Sequence, residues 1–254
     1  MKTEILYEDN SILVVRKPAG LAVQSAGIGQ PDVVSELKSY LAKLPSAGRP
    51  GKGEPYLGIV HRLDQPVEGL LVFAKDKKAA ATLSKQLTEG ALNKHYYAVL
   101  CGYPDCPEGD LVDYLRKEGN VAVAVTGREQ EFADAKIAVL HYRILEEMND
   151  PSPLALADVT IGTGRFHQIR VQFAHAGFPL LGDTKYGMAA RKEAMPAQKY
   201  RGVALCAYSL ELVHPISGKK MGFRVVPKNP AFAGFAMKEL KKLTENETGI
   251  SKRG

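Results

Sequence analysis

The apolar positions of this chain come in short runs, not long stripes. Residues 5–7 and 12–15 are apolar, and the Glu8-Asp9-Asn10-Ser11 cluster between them is a turn signal, so the pair predicts a β-hairpin. Lys17-Pro18-Ala19-Gly20 then breaks the second strand. Asp32 stands as N-cap to a helix that gathers Val33, Val34, Leu37, Tyr40 and Leu41 on one broad face. Residues 44–55, rich in Pro, Gly and Lys, predict a loop. Strands are expected over 56–60 and 70–74, the second so continuously apolar that it should be buried on both faces. Asp76 and Gly90 bracket a helix that runs to residue 87. Further strands are expected at 95–100, 136–145, 154–161, 203–213 and 222–226. Between them, the tight turn Gly162-Thr163-Gly164 leads into a helix over 168–176, with Ile169 and Phe173 on its inner face and Gly177 as its stop. A last helix is expected over 232–243, ahead of a polar tail.

Many strands with few helices argue for an α+β fold, a mostly antiparallel mixed β-sheet core with flanking helices. The βα units do not alternate regularly, which argues against a doubly wound parallel sheet. Repeats and long linkers are not evident, so the reading is one domain over 1–228, followed by a C-terminal helix and polar tail over 229–254.

Composition adds a few bounds. A chain of 254 residues is long enough to bury a proper core. The formal net charge of +6 fits a polyanionic partner without requiring one. The cysteines, Cys101, Cys106 and Cys206, are odd in number and sparse, so they read as thiols and not as a disulfide framework or a metal site. The N-terminus lacks the apolar core of a signal peptide, and no apolar run is long enough to span a bilayer. The reading is a cytoplasmic protein without a membrane partner.

Three constellations carry candidate chemistry. His61-Arg62-Leu63-Asp64 follows an apolar strand and precedes the loop-like Gln65-Pro66-Val67-Glu68-Gly69, which places a carboxylate beside an arginine at a strand end. A structural Arg–Asp pair would look the same. Gly164-Arg165-Phe166-His167-Gln168-Ile169-Arg170 puts cationic and polar residues at a helix start, suited either to a phosphate or simply to water. In Lys94-His95-Tyr96-Tyr97-Ala98-Val99 the adjacent tyrosines point to opposite faces of a strand, so that one packs inward and the other either packs too or offers its ring to a base.

Together these motifs resemble the RluA-type pseudouridine synthase family. His61-Arg62-Leu63-Asp64 with Gly69-Leu70-Leu71-Val72-Phe73-Ala74-Lys75 is similar to its signature block. Lys94-x-Tyr96-x-Ala98, with Gly102 beyond it, resembles the second block. The third is matched by Gly164-Arg165-x-His167-Gln168-Ile169-Arg170-Val171, His175-x-Gly177-x-Pro179-Leu180-Leu181-Gly182-Asp183 and Tyr186-Gly187. Asp9-Asn10 through Lys17-Pro18-Ala19-Gly20 fits the first hairpin, so the resemblance runs from about residue 5 to about residue 227. Two departures stand out. Val67 and Glu68 replace the usual Thr-Ser, which removes hydroxyls that would tether the catalytic loop and adds a negative charge near Asp64; Phe166 replaces a usual Thr. The chain has no room for the separate N-terminal RNA-binding domain that some members carry.

The resemblance implies a pseudouridine synthase-like catalytic domain that isomerises uridine to pseudouridine in ribosomal or transfer RNA, with no cofactor and no metal, and a monomer in solution. It implies catalytic roles for Asp64, Tyr96 and Arg170. Asp64 either attacks the ribose at C1′ or removes a sugar proton, Arg170 is its cationic partner, and Tyr96 stacks on the uracil. Extruding a stacked uridine costs roughly a few kcal/mol, and Arg62 matches the residue that fills the vacated space. His61, Arg165, His167, Gln168, Ile169 and Lys17 complete the expected substrate-binding set. His61, His167 and Gln168 read as bracing residues within it, while Lys17 and Arg165, with Lys75, read as phosphate contacts. Two other functions fit the residues less well. One is an idle RNA-binding protein on the same scaffold. The other is a hydrolase pairing Asp64 with Glu68 or Asp183, which needs two carboxyls roughly 5 to 10 Å apart.

Overall fold

The computed structural model of the chain describes residues 1–25, 27, 29–44, 54–126, 134–149, 152–187 and 202–237. In chain order its elements are β1 (Glu4–Glu8), β2 (Ile12–Lys17), α1 (Val33–Lys43), β3 (Gly58–Ile59), β4 (Glu68–Ala74), α2 (Lys77–Thr88), β5 (Asn93–Cys101), β6 (Glu108–Glu118), β7 (Val121–Ala124), β8 (Lys136–Met148), β9 (Leu154–Ile161), α3 (Gln168–His175), β10 (Leu205–Val213), β11 (Lys220–Arg224) and a 3-10 turn at Pro230–Phe232. They fall into two compact units: Met1–Asn93 with Ser209–Val225, and Lys94–Tyr208 with the described residues from Val226 on.

In the first unit the polar cluster after β1 turns the chain because the Asp9 carboxylate accepts from the backbone N–H groups of Ser11 and Ile12, at 2.7 and 2.8 Å. β1 and β2 pair antiparallel, Ile5 opposite Val15, and β2 pairs antiparallel with β4, Val14 opposite Val72. β3 adds to β4, and the part of β10 from Ser209 on pairs with β11. Every residue of β2 and β4 is buried, as the unbroken apolar run of β4 predicts. Burying each Val, Leu, Ile or Phe of these strands contributes about 1.5–3 kcal/mol. Asp32 and Asp76 cap α1 and α2 by accepting from Ser35 and Ala79 N–H, at 2.7 and 2.8 Å. Farther along, Gln86 on α2 clamps the backbone of Val213, donating to its carbonyl and accepting from its N–H.

The second unit is built on the antiparallel path β5-β9-β8-β6-β7. α3 packs on it through Val171, which joins Leu115 of β6, Ala122 of β7, Ala138 of β8 and Tyr186 in one apolar cluster. Phe173 meets Tyr142 of β8 edge-on, ring centres 5.6 Å apart. Cys101 and Cys206 are buried, Cys106 is exposed, and none of the three is in a disulfide.

The elements depart from expectation in three places. β6 and β7 were not foreseen, because β6 is crowded with charged residues and buries little beyond Leu115. β4 begins at Glu68, inside the segment expected as loop. The helix expected over 232–243 is absent as far as residue 237. The chain makes only the Pro230–Phe232 turn, and the Glu146 carboxylate then takes the backbone N–H groups of Ala236 and Met237, at 2.7 and 2.6 Å, donors a helix would use otherwise. Residues 238–243 lie outside the described residues.

Candidate active site

Asp64 lies in the segment between β3 and β4, half-buried, and opens a turn closed by the Val67 N–H donating to the Asp64 carbonyl at 3.1 Å. That turn is stitched to the end of the first hairpin. Gly20 N–H donates to the Gln65 carbonyl at 2.8 Å, and the Gln65 amide donates to the Gly20 carbonyl at 3.1 Å. Lys17 sits beneath, 0% exposed, its ammonium donating to the carbonyls of Pro18, Leu21 and Gln65 at 3.0, 2.7 and 3.0 Å. Burial pushes the Lys17 ammonium down to about 7, although the carboxylates of Asp64 and Glu68 both pull it upward. Gly69, opposite Lys17 in the ladder, has a φ of 131°, which a side chain would strain, and this explains a glycine directly after Glu68.

Glu68, expected in a loop, is 3% exposed and paired with Arg16 at 3.2 Å. Arg16 drew no attention in the sequence; its one signal is a cation next to Lys17 within an apolar strand. His61 is buried, and its Nε2 accepts from the Val72 N–H at 3.3 Å, so the ring braces β4. Arg62 is exposed.

The second unit holds the other two residues expected in catalysis. Tyr96 sits on β5 opposite Val159 and is 4% exposed. Tyr97 is also buried and stacks on Tyr208, ring centres 3.8 Å apart, so both tyrosines take part in packing. Arg170, 4% exposed on α3, forms a two-bond pair with Asp183, 2.7 Å from Nε and 2.8 Å from a terminal nitrogen, and lies over the Tyr186 ring. Asp183 is held for this by the N–H groups of Lys185 and Tyr186. Asp183 as Arg170's partner was not foreseen; a buried arginine's need for a carboxylate was the available signal.

α3 begins where Gln168 reaches back. Its Oε1 accepts from the Thr163 hydroxyl and the Arg165 N–H, at 2.8 and 2.9 Å, and its amide donates to the Val139 carbonyl at 3.0 Å. His167 takes a left-handed φ of 54° there, its Nδ1 2.7 Å from the Tyr186 hydroxyl and its ring stacked on exposed Phe166. The helix ends in a Schellman motif: Phe178 N–H donates to the Phe173 carbonyl, Gly177 N–H to that of Ala174, with Gly177 at φ 89°.

Three of the expected substrate-binding residues are buried. Lys17 lies beneath the Asp64 turn with its ammonium on three backbone carbonyls. Gln168 and Ile169 are buried, the first spent on holding the Gly162-Thr163-Gly164 turn to β8 and the second part of the core. Arg165 stays partly exposed, with its Nε on the Ile137 carbonyl at 2.9 Å. The two acids of the hydrolase reading, Glu68 and Asp183, are each engaged by an arginine. Among the described residues no cluster of His, Cys, Asp or Glu could hold a metal, and no helix is long and apolar enough to cross a membrane.

Comparison with known proteins agrees with these motifs. Residues 11–175 match the family described as RNA pseudouridylate synthase. The chain is 34% identical over 225 residues to a protein of Zymomonas mobilis named ribosomal large subunit pseudouridine synthase D, covering 87% of this chain and 68% of that one. It is 37% identical over 232 residues to an Escherichia coli protein of the same name, covering 86% and 65%. This chain therefore spans about two thirds of the length of these relatives. In structure it resembles the human RNA pseudouridylate synthase domain containing 4, with a TM-score of 0.68 at 24% identity over 94% of this chain and 93% of that one. The human domain containing 1 gives 0.67 at 19%, over 89% and 83%. The α+β fold is thus that of the pseudouridylate synthase domains.

Proposed function

Because the chain belongs to the RNA pseudouridylate synthase family, we propose that it isomerises uridine to pseudouridine in ribosomal RNA, with Asp64 as its catalytic carboxylate and residues 1–228 carrying the activity. The observation that carries this reading is the family match over residues 11–175, a segment that contains Asp64, Tyr96 and Arg170. Because the relatives are named for the ribosomal large subunit, its RNA is the first substrate to test, and transfer RNA the second. In this reading the protein acts as a monomer in the cytoplasm.

In the reaction the C1′–N1 bond of uridine breaks and a C1′–C5 bond forms. The C5 proton is lost to solvent and N1 takes up a proton, so the nucleoside keeps its composition. Asp64 serves this by adding to C1′ or by removing a sugar proton, and in either role it must be ionised. Tyr96 offers its ring to the uracil, and Arg170 supplies positive charge. Exposed Arg62 suits the space left by an extruded base, since a planar cation both stacks and binds phosphate. Partly exposed Arg165 suits a phosphate.

The test is incubation of the purified protein with unmodified large-subunit ribosomal RNA carrying tritium at C5 of uridine. Tritium release with pseudouridine in the digested product is the expected result. Tight binding with no release, for this RNA and for transfer RNA alike, would replace the reading with the idle RNA binder.

A further inference from the structure

We propose that Arg16 and Glu68 are positioning residues for Asp64, a buried ion pair that fixes the catalytic turn. The inference rests on the assignment of Asp64 as the catalytic carboxylate.

Glu68 is the first residue of β4, and Arg16 lies next to the last residue of β2. The strands pair antiparallel with Arg16 opposite Leu70 and Lys17 opposite Gly69, so both charged ends meet where the turn enters the sheet. The guanidinium stands 3.2 Å from the carboxylate, with the two side chains 9% and 4% exposed. Asp64 opens the turn that Val67 closes, directly before Glu68. Holding Glu68 therefore holds one end of the turn, while the Lys17 ammonium holds its middle through the Gln65 carbonyl.

Arg16 answers Glu68 directly, and Lys17 lies close enough to feel both Asp64 and Glu68. Buried ion pairs add little net stability compared with apolar side chains, and their best-supported use is to select one geometry. Replacing the whole pair with apolar side chains is thus expected to show in turnover and not in folding.

The experiment measures kcat and KM by tritium release from the same labelled ribosomal RNA, for Glu68→Gln, Arg16→Met, Arg16→Lys, the double variant Arg16→Met/Glu68→Met, and Asp64→Asn in parallel. The double variant replaces both charges with apolar side chains, so it remains informative if a single variant, left with one buried charge, fails to fold. Glu68→Gln is expected to lower kcat about tenfold, or about 1.4 kcal/mol of barrier, with KM within about twofold. The double variant should fold and lose no more than either single variant, because the pair acts as one unit. Arg16→Lys should retain more turnover than Arg16→Met. Parental kcat in the double variant, with Asp64→Asn inactive, would overturn the inference alone. A Glu68→Gln loss as deep as that of Asp64→Asn would also overturn it, by moving Glu68 into the chemistry. Turnover retained in Asp64→Asn would instead overturn the assignment on which the inference rests.

Discussion

At the residue scale two groups stand out, the Asp64 carboxylate proposed as catalytic and the lysine buried beneath its turn. Asp64→Asn keeps the shape of the side chain and removes its charge. It is expected to fold and bind RNA as the parent does while releasing no tritium, and appreciable turnover would end the catalytic assignment. Lys17 makes a separate prediction about pH. Its ammonium has an ordinary value of 10.5, and burial lowers it to about 7 in the folded chain. Between those values the unfolded chain holds a proton that the folded one has released, so stability from this residue rises with pH. The contribution is complete above the unfolded value and is lost as pH falls through about 7. Urea unfolding from neutral to alkaline pH should therefore show the parent gaining on Lys17→Met as pH rises. Parallel curves for the two proteins would contradict a depressed Lys17.

At the scale of elements, α3 shows how much of a site is set by its supports. Arg170 stays buried because Asp183 receives it through two bonds. Removing one partner of a buried pair leaves the other uncompensated, so Asp183→Ala should cost about 3–5 kcal/mol in urea unfolding. A loss below about 1 kcal/mol would match an exposed pair instead. The same element shows what could be read beforehand. Gly177 as a stop, Ile169 and Phe173 as inner residues, and the turn before α3 follow from local pattern, and so do the caps Asp32 and Asp76. The burial of Lys17 did not, because a motif names which residues recur and not which way each side chain points. A glutamine at a helix start serves a ligand or its own turn equally well until the Val139 carbonyl is seen beside it. β6 escaped because its charged residues hid a strand that a single leucine anchors. The Arg16–Glu68 pair escaped because it joins two strands distant in sequence.

At the scale of the whole molecule, the formal charge of +6 bears on the partner. If phosphate contacts lead RNA binding, counterions are released, and the logarithm of affinity should fall linearly with the logarithm of salt between about 50 and 200 mM. A flat response in filter binding would count against RNA as the partner. The cysteines offer a different use of the fold. With Cys101 and Cys206 buried and Cys106 exposed, a chromogenic disulfide reagent should modify Cys106 at once and reach the other two only when β5 or β10 opens. The slow phases of that reaction are then a clock for local opening of the native sheet, read without denaturant and independently of any substrate.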